Sequence, residues 1–302
     1  MRRYIVTVIN LKIGINKVVE VFTLKTRTLF QCPTCSSPLN QGEKQYFCSN
    51  GHSFDIARKG YVNLLLPSHT GAGDPGDDKE MLQSRREFLD RGYYETFSDM
   101  LNDIVAAALP TEEKDKNIAI LDAGCGEGYY LCRLKDRLAG LCNGGVLDIY
   151  GIDVSKPAIQ YAAGRDKSIR FAVASSYHIP LLKGTLDCIL CIFAPRDEQE
   201  FRRILKPSGK LLVAAPGPKH LYNLRKMLYE KPEVIGQKGT MGKGFTLLNE
   251  YNASYTINLK NTQDIFNLFK MTPYSRHTSV EKLQSMGELV TEVDINIRVY
   301  QK

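Results

Sequence analysis

Four residues near one end of the chain have the spacing of a metal site. Cys32 and Cys35 are separated by two residues, Cys48 and His52 by three, and twelve residues lie between the two pairs. Thiolates and an imidazole suit Zn²⁺, and two close pairs brought together by a hairpin complete a tetrahedron. Because four protein ligands close the coordination shell, we expect a structural zinc ion whose binding supplies much of the module's folding free energy.

The other cysteines are predicted to be core or loop residues. Cys188 and Cys191 are also two residues apart, but they lie inside a predicted buried strand. Residues three positions apart on a strand point to opposite faces of the sheet and cannot bind one ion. The remaining three are Cys125, Cys132 and Cys142.

A second group of residues is typical of a nucleotide-type ligand. An apolar stretch ending at Asp122 runs into a turn that contains Gly124, Gly126 and Gly128, and such glycines let a ligand approach the backbone closely. Asp153 ends the next apolar stretch, where a carboxylate can accept both hydroxyls of a ribose. A dinucleotide site has its acid about 20 residues after the turn, whereas Asp153 lies 27 residues after Gly126. This longer spacing favours S-adenosylmethionine (SAM).

A mostly parallel α/β sheet is needed to position this turn and its acid. Short apolar strands alternate with helical stretches, which is the signature of such a sheet. The predicted strands are Ile118–Asp122, Asp148–Asp153, Arg170–Ala174, Leu186–Phe193 and Lys210–Ala215, and the predicted helices among them are Tyr129–Leu138, Lys156–Gly164 and Glu198–Leu205. After these come a helix near Lys219–Tyr229, a Gly/Lys-rich loop (Gln237–Gly244) and a mixed tail that ends in a strand over Leu289–Tyr300. We therefore predict a Rossmann-like SAM-dependent methyltransferase domain, a fold class whose mostly parallel sheet has seven strands.

The end of the fourth predicted strand narrows the choice of target. It reads Phe193-Ala194-Pro195-Arg196, whereas enzymes that methylate exocyclic amines usually carry an Asn/Asp-Pro-Pro-aromatic tetrad there. The difference argues against an adenine or cytosine amino group as the methyl acceptor.

Composition bounds the class of protein. Of the 302 residues, 43% are hydrophobic and 24% are charged, as in ordinary globular proteins. No apolar run approaches the about 18 residues of a membrane-spanning helix, and no secretory signal is visible, so we expect a cytoplasmic protein with reduced cysteines. The net charge of +7 is compatible with RNA binding but does not by itself indicate it.

Four parts are predicted along the chain. Residues 1–29 form an extension that we interpret as lying before the true start of translation, the alternative being an edge hairpin. Residues 30–66 form the zinc ribbon, 67–92 a Gly/Pro-rich loop and linker helix, and 93–302 the catalytic domain. A second helix is expected over Tyr94–Leu109.

The chain from about Phe30 onward resembles the RlmA (RrmA) family of 23S ribosomal RNA (guanine-N1)-methyltransferases. Beyond the four metal-ligand candidates, the matching strings are Ser53–Leu65, Asp74–Asp77, Gly124–Tyr130, Asp153–Lys156, Ala174–Ser176, Pro216–His220 and Met271–Pro273. The resemblance implies a zinc ribbon that helps to recognise 23S rRNA and a SAM-dependent domain that methylates N1 of a guanine. It also implies a homodimer.

The resemblance further implies which residues contact SAM. They are Tyr94, Gly126, Glu127 and His220, to which the spacing adds Asp122, Gly124 and Asp153.

Guanine N1 carries a proton that must leave before or during methyl transfer, so a general base would help. Asp77 and Asp78 follow the Gly/Pro-rich loop, which could close over the base, and with Glu80 they are candidates for this role. Either aspartate could instead cap the following helix.

Two other functions stay open at this point. A SAM-dependent methyltransferase for a small molecule would need the same turn and acid, although it has little use for a zinc ribbon. A non-catalytic zinc-ribbon RNA-binding protein would not need an intact SAM site.

Overall fold

The computed structural model describes residues 26–69, 77–109, 116–140, 144–232, 241–276, 283 and 287–302. Most of the predicted extension, residues 70–76 of the Gly/Pro-rich loop, residues 237–240 of the Gly/Lys-rich loop, and Cys142 lie outside these residues. Within the described part, no helix is long and apolar enough to cross a membrane.

A small antiparallel sheet carries the zinc-ligand candidates. Its four strands, in spatial order, are β1 (Thr26–Gln31), β2 (Pro38–Gln41), β3 (Gln45–Phe47) and β4 (Ser53–Asp55). The first strand begins at Thr26, so the ribbon includes residues that we predicted to belong to the extension.

The second sheet contains eight described strands. They are β5 (Val62–Asn63), β6 (Ile118–Ala123), β7 (Leu147–Asp153), β8 (Arg170–Val173), β9 (Leu186–Ile192), β10 (Leu205–Pro216), β11 (Thr246–Leu259) and β12 (Leu289–Gln301). Their spatial order is β11-β12-β10-β9-β6-β7-β8-β5, and β12 alone among them runs in the direction opposite to the other seven. The predicted mostly parallel sheet is confirmed, and β5 joins it as an eighth strand, because Val62 pairs with Ala172 at the outer edge of β8.

Within the described residues, seven α-helices connect and cover the strands. They are α1 (Lys79–Asp90), α2 (Glu95–Ala108), α3 (Tyr129–Leu138), α4 (Lys156–Arg165), α5 (Glu198–Ile204), α6 (Tyr222–Leu228) and α7 (Thr262–Lys270). Side-chain caps begin several of them: Ser155 accepts a hydrogen bond from Ala158 N, and Asp197 accepts from Gln199 N and Glu200 N. Such caps satisfy the first N–H groups of a helix. The predicted helices are confirmed, but α7 and β11 fall in the tail that we could not resolve into elements.

The strand β6 lies at the centre of the sheet and separates two cores. Ile118 and Ile120 pack into the core that contains α2 and α7, whereas Ala119 and Leu121 pack into the core on the opposite face. This alternation follows from the two-residue period of a strand. The strand order reverses at β6, and open α/β sheets bind ligands at such a point, outside the carboxyl ends of the strands.

The ribbon packs directly against the large sheet. The Phe30 ring lies edge-on to Tyr46 of the ribbon and Tyr150 of β7, with centroids 5.4 and 5.1 Å away. Leu29 N donates a hydrogen bond to Tyr150 Oη at 3.0 Å, and Gln31 N donates to Pro180 O at 2.9 Å. The two sheets therefore share a hydrophobic core, which fixes the ribbon to the larger unit.

Candidate metal centre and cofactor edge

The four predicted zinc ligands lie together in the ribbon. One ligand atom from each of Cys32, Cys35, Cys48 and His52 lies within 4.8 Å of all the others, and no other such cluster exists in the described part of the chain. The Sγ atoms of Cys35 and Cys48 are 3.6 Å apart, and His52 Nδ1 is 3.4 Å from Cys48 Sγ. A tetrahedral zinc ion would hold two thiolate sulfurs roughly 3.8 Å apart. The donors therefore fit a structural Zn²⁺ ion.

Two turns position these ligands. Cys32 N donates to Ser37 O and Ser36 N to Cys32 O, which closes the turn between β1 and β2. Cys48 N donates to His52 O across the turn from β3 to β4. These turns bring the four side chains of the cluster together, as the spacing predicted.

The glycine turn after β6 requires glycine for two separate reasons. Gly124, Gly126 and Gly128 have φ angles of +86°, +54° and +87°, in the region that favours glycine. A Cβ atom on Gly124 would lie 2.4 Å from the Cβ of Ala194. A Cβ atom on Gly126 would meet only Arg85 Nη1, at 3.7 Å, so open space lies over this residue. The turn therefore packs tightly at Gly124 and offers room for a ligand at Gly126.

Asp153 holds this turn in place. Its Oδ2 accepts a hydrogen bond from Gly126 N at 2.9 Å, and its Oδ1 accepts from Ser155 N at 2.8 Å. The carboxylate thus joins the glycine turn to the start of α4. Each oxygen keeps further acceptor capacity for a ligand hydroxyl.

Asp122 lies beneath the turn and is nearly inaccessible to solvent. Its side chain is 1% exposed, and its Oδ1 has no hydrogen-bond partner among the described residues. Burial, and secondarily the nearby Asp153, raises the pKa of Asp122 to about 8. Buried polar atoms are almost always paired, so the orphaned oxygen fits a site that a ligand completes.

The glycine turn, Asp122 and Asp153 lie at the carboxyl ends of the parallel strands, which we call the cofactor edge. Tyr94 and His220 form a buried hydrogen-bonded pair beside this edge. His220 Nδ1 accepts from Asp294 N at 3.2 Å, and its Nε2 lies 3.3 Å from Tyr94 Oη. Burial lowers the pKa of His220 to about 4, so the ring is neutral near pH 7. Because a backbone N–H donates to Nδ1, the ring proton is assigned to Nε2, which then donates to the tyrosine oxygen. The Tyr94 O–H is left to donate to a ligand.

Glu127, which the resemblance assigns to the SAM site, is held by charged neighbours. Its side chain is 1% exposed and forms an ion pair with Arg165 of α4. Arg165 also pairs with Asp90 of α1 at 2.8 Å. The carboxylate therefore ties the turn to two helices, while its buried Oε1, like Asp122 Oδ1, has no hydrogen-bond partner among the described residues.

The three acidic candidates for a general base have different interaction partners in the fold. Asp78 caps α1, since its Oδ1 accepts from Met81 N at 2.8 Å. Asp77 forms an ion pair with Arg85, and its carbonyl oxygen accepts from Ser155 Oγ at 3.2 Å. Glu80 pairs with Lys270 at 3.1 Å. Of the three, the structure links Asp77 to Ser155, and Ser155 in turn donates its N–H to Asp153 of the cofactor edge.

Arg85 is a residue of this edge that the sequence analysis missed. Besides Asp77 it contacts Met271, donating a hydrogen bond from Nη2 to the carbonyl oxygen at 3.2 Å. It therefore joins the linker helix α1 to the segment after α7, directly over Gly126. The only available signal was that Asp77 and Met271 both lie in strings that resemble the same family.

Comparisons with known proteins agree with both centres. The zinc-ribbon family model described as "RlmA, N-terminal" matches residues 30–70, and the model described as "Methyltransferase domain" matches residues 114–263. The chain is 38% identical to a Micromonospora griseorubida protein named "Putative 23S rRNA (guanine-N(1)-)-methyltransferase", over 64% of this chain and 68% of that protein.

Two further relatives extend the match. The chain is 36% identical to the "23S rRNA (guanine(748)-N(1))-methyltransferase" of Streptomyces fradiae, over 64% of this chain and 65% of that one. It is 29% identical to the Bacillus subtilis protein YxjB, whose name describes the same activity with the prefix "Putative", over 91% of this chain and 98% of that one. The similarity to the last relative spans both the ribbon and the large sheet.

Proposed function

Because this chain belongs to the RlmA family of 23S rRNA (guanine-N1)-methyltransferases, we propose that it methylates N1 of a guanine in a 23S rRNA hairpin. The observation that carries the proposal is the joining of two centres in one folded unit. A closed Cys₃His cluster and an open cofactor edge share a hydrophobic core through Phe30 and Tyr150. A small-molecule methyltransferase would not need this fixed additional module.

We assign SAM to the open edge after β6. The cofactor supplies an electrophilic methyl group when it is bound. Gly126 leaves the space in which it approaches the backbone, Asp153 offers carboxylate oxygens to its hydroxyls, and Tyr94 donates its O–H. Asp122 stands below with an oxygen that lacks a partner among the described residues. Holding donor and acceptor in line supplies most of the acceleration in such a transfer.

Asp77 is the candidate that would receive or orient the proton of guanine N1. Its backbone is fixed to Ser155, and the Arg85 guanidinium holds its carboxylate over the glycine turn. Asp78 is the less suitable candidate, because its carboxylate caps α1. A target within a hairpin must also be unstacked before its N1 can reach this edge.

The zinc ribbon is proposed to contact RNA without taking part in chemistry. All four ligands come from the protein, so no coordination position is left for substrate. Lys44, Arg58 and Lys59 are exposed on its turns and can reach phosphates. Near the cofactor edge, Lys79 and Lys219 are exposed as well. The proposal places this activity in the cytoplasm.

A homodimer is a further part of the proposal. The first half of β11 is exposed and includes Leu247, Leu248 and Tyr251 at the edge of the sheet. Unprotected strand edges with apolar side chains pair readily with another chain. Light scattering coupled to size-exclusion chromatography should give twice the chain mass, and a single-chain mass would contradict this part.

The test of the activity is transfer of a radiolabelled methyl group. Purified protein and labelled SAM are incubated with 23S rRNA from a strain that lacks the modification, with 16S rRNA as the matched control. We expect label in the 23S rRNA alone. Binding of SAM without transfer to either RNA would contradict the proposal and favour a small-molecule substrate.

A further inference from the structure

Phe193 has a backbone conformation that is costly for a bulky residue. It follows β9 directly, and its φ is +53°, in the left-handed region. Its N–H donates to Ala214 O of β10 at 3.0 Å, and Cys191 Sγ donates to Ala194 O at 3.4 Å. These bonds hold the strand end in place. Strained residues of this kind persist where the surrounding structure enforces them, and they cluster at functional sites.

The Phe193 side chain is unusually open for an aromatic residue at the end of a central strand. It is 41% exposed, although Ile192 before it is only 6% exposed. Its ring centroid lies 5.8 Å from that of the fully buried Phe97 and 6.1 Å from that of His220, to which it is tilted by 30°. Two buried rings thus support it, while part of its surface faces solvent.

The strand end places this ring beside the cofactor edge. Ala194, the next residue, is the one that a Cβ on Gly124 would strike at 2.4 Å. Strand β9 is also the neighbour of β6, with Leu190 opposite Asp122. His220, which supports the ring, is hydrogen-bonded to Tyr94. The open aromatic surface therefore adjoins the glycine turn and the Tyr94–His220 pair together.

We propose that Phe193 is a stacking platform for the purine ring of the target guanine. The inference rests on the proposed function, since it names how that site holds its base. Unpaired bases are commonly held by stacking on aromatic side chains. The Ala-Pro-Arg that follows offers no Asn or Asp to hold an exocyclic amine. Stacking leaves the edge of the base that carries N1 free to meet the methyl donor.

The test compares two substitutions that differ in the planar ring. Phe193→Tyr keeps the ring, and we expect its kcat/KM for 23S rRNA to stay within about twofold of wild type. Phe193→Leu keeps apolar bulk without a ring, and we expect about a tenfold or greater loss in kcat/KM, carried mainly by KM, because stacking on one base typically contributes this much or more. SAM affinity and the melting temperature should be unchanged in both. Wild-type kcat/KM in Phe193→Leu, or an equal loss in the tyrosine variant, would overturn the inference.

A photochemical readout separates this inference from the proposed activity. 23S rRNA containing 6-thioguanosine is irradiated with the wild-type protein, and the cross-linked peptide is sequenced by mass spectrometry. Cross-linking at Phe193 supports the platform even if the wild type forms no methylated product, a result that would overturn the activity alone. Cross-linking only at other residues, with an active wild type, would overturn the platform alone.

Discussion

The zinc cluster and the cofactor edge differ in which parts of the chain supply their residues and in whether they leave an open position. The cluster takes its ligands from two adjacent turns between Cys32 and His52, and they leave no open position. The cofactor edge draws on segments from Asp77 to Asp294, which only the folded sheet brings together. The first has every donor directed inward, whereas the second keeps an orphaned carboxyl oxygen at Asp122 and open space at Gly126. We interpret the first as a centre that stabilises the fold and the second as one that binds the cofactor.

Removing one zinc ligand should give the largest effect. Cys48→Ser should abolish zinc binding and unfold the ribbon, since structural zinc contributes on the order of 10 kcal/mol to small domains. Bound zinc per chain and the unfolding transition measure this, with Cys132→Ser, outside the cluster, as the control. Full zinc content with an unchanged transition would show that Cys48 does not hold a structural zinc ion.

Lowering the pH should act on the cofactor edge through His220. A histidine in the unfolded chain titrates near pH 6.5, while burial lowers the pKa of His220 to about 4. At this group the unfolded state therefore binds more protons between these values, and the contribution of His220 to stability falls as the pH drops through that window, by at most roughly 3 kcal/mol.

The matched variant for this prediction is His220→Gln. In urea unfolding, the free energy of unfolding of wild type relative to that of the variant should fall between about pH 7 and about pH 4.5. Asp122, whose pKa is raised to about 8, has the opposite effect, because its contribution to stability falls as the pH rises. This effect is present in both proteins. Parallel profiles for wild type and variant would mean that His220 is not held neutral by burial.

The two neighbouring aspartates provide a comparison within the edge itself. Asp77→Asn should lower kcat about 100-fold if this carboxylate handles the N1 proton, with SAM affinity little changed. Asp78→Asn should stay within about twofold of wild type, because asparagine caps a helix as well as aspartate does. Equal activity in both variants would remove Asp77 from the mechanism.

The smallest effect is expected from one methyl group in the glycine turn. Gly124→Ala should weaken SAM binding about tenfold through the clash with Ala194 and the strained φ. Gly140 also has a positive φ, +100°, but a Cβ atom there would meet nothing within 4 Å. Gly140→Ala should therefore leave SAM affinity unchanged. Calorimetric titration with SAM distinguishes the two. Unaltered affinity in the first variant would place the cofactor elsewhere.

The sequence analysis succeeded where the signal is local. The zinc ligands followed from spacing, and β6, β7 and β9 followed from apolar runs bounded by turns. It failed at β11, because the exposed first half of that strand shows no alternation of apolar and polar residues. It also failed at β5, whose two residues form a strand only because β8 has a free edge.

The cofactor edge was predictable only in part. The glycine turn and Asp153 carry a recognisable spacing, but the partners of the remaining side chains are set by tertiary packing. Glu127 pairs with Arg165, and Asp77 with Arg85, across contacts that no spacing rule encodes. Phe193 could be recognised only from its φ angle and its exposure.

The most direct test of the central claim is the identity of the methylated nucleoside. 23S rRNA treated with the protein and SAM is digested to nucleosides and analysed by mass spectrometry. We predict 1-methylguanosine, formed about 100-fold more slowly when Asp77→Asn replaces the wild type. A different methylated nucleoside, or none from a wild-type protein that binds SAM, would contradict the claim.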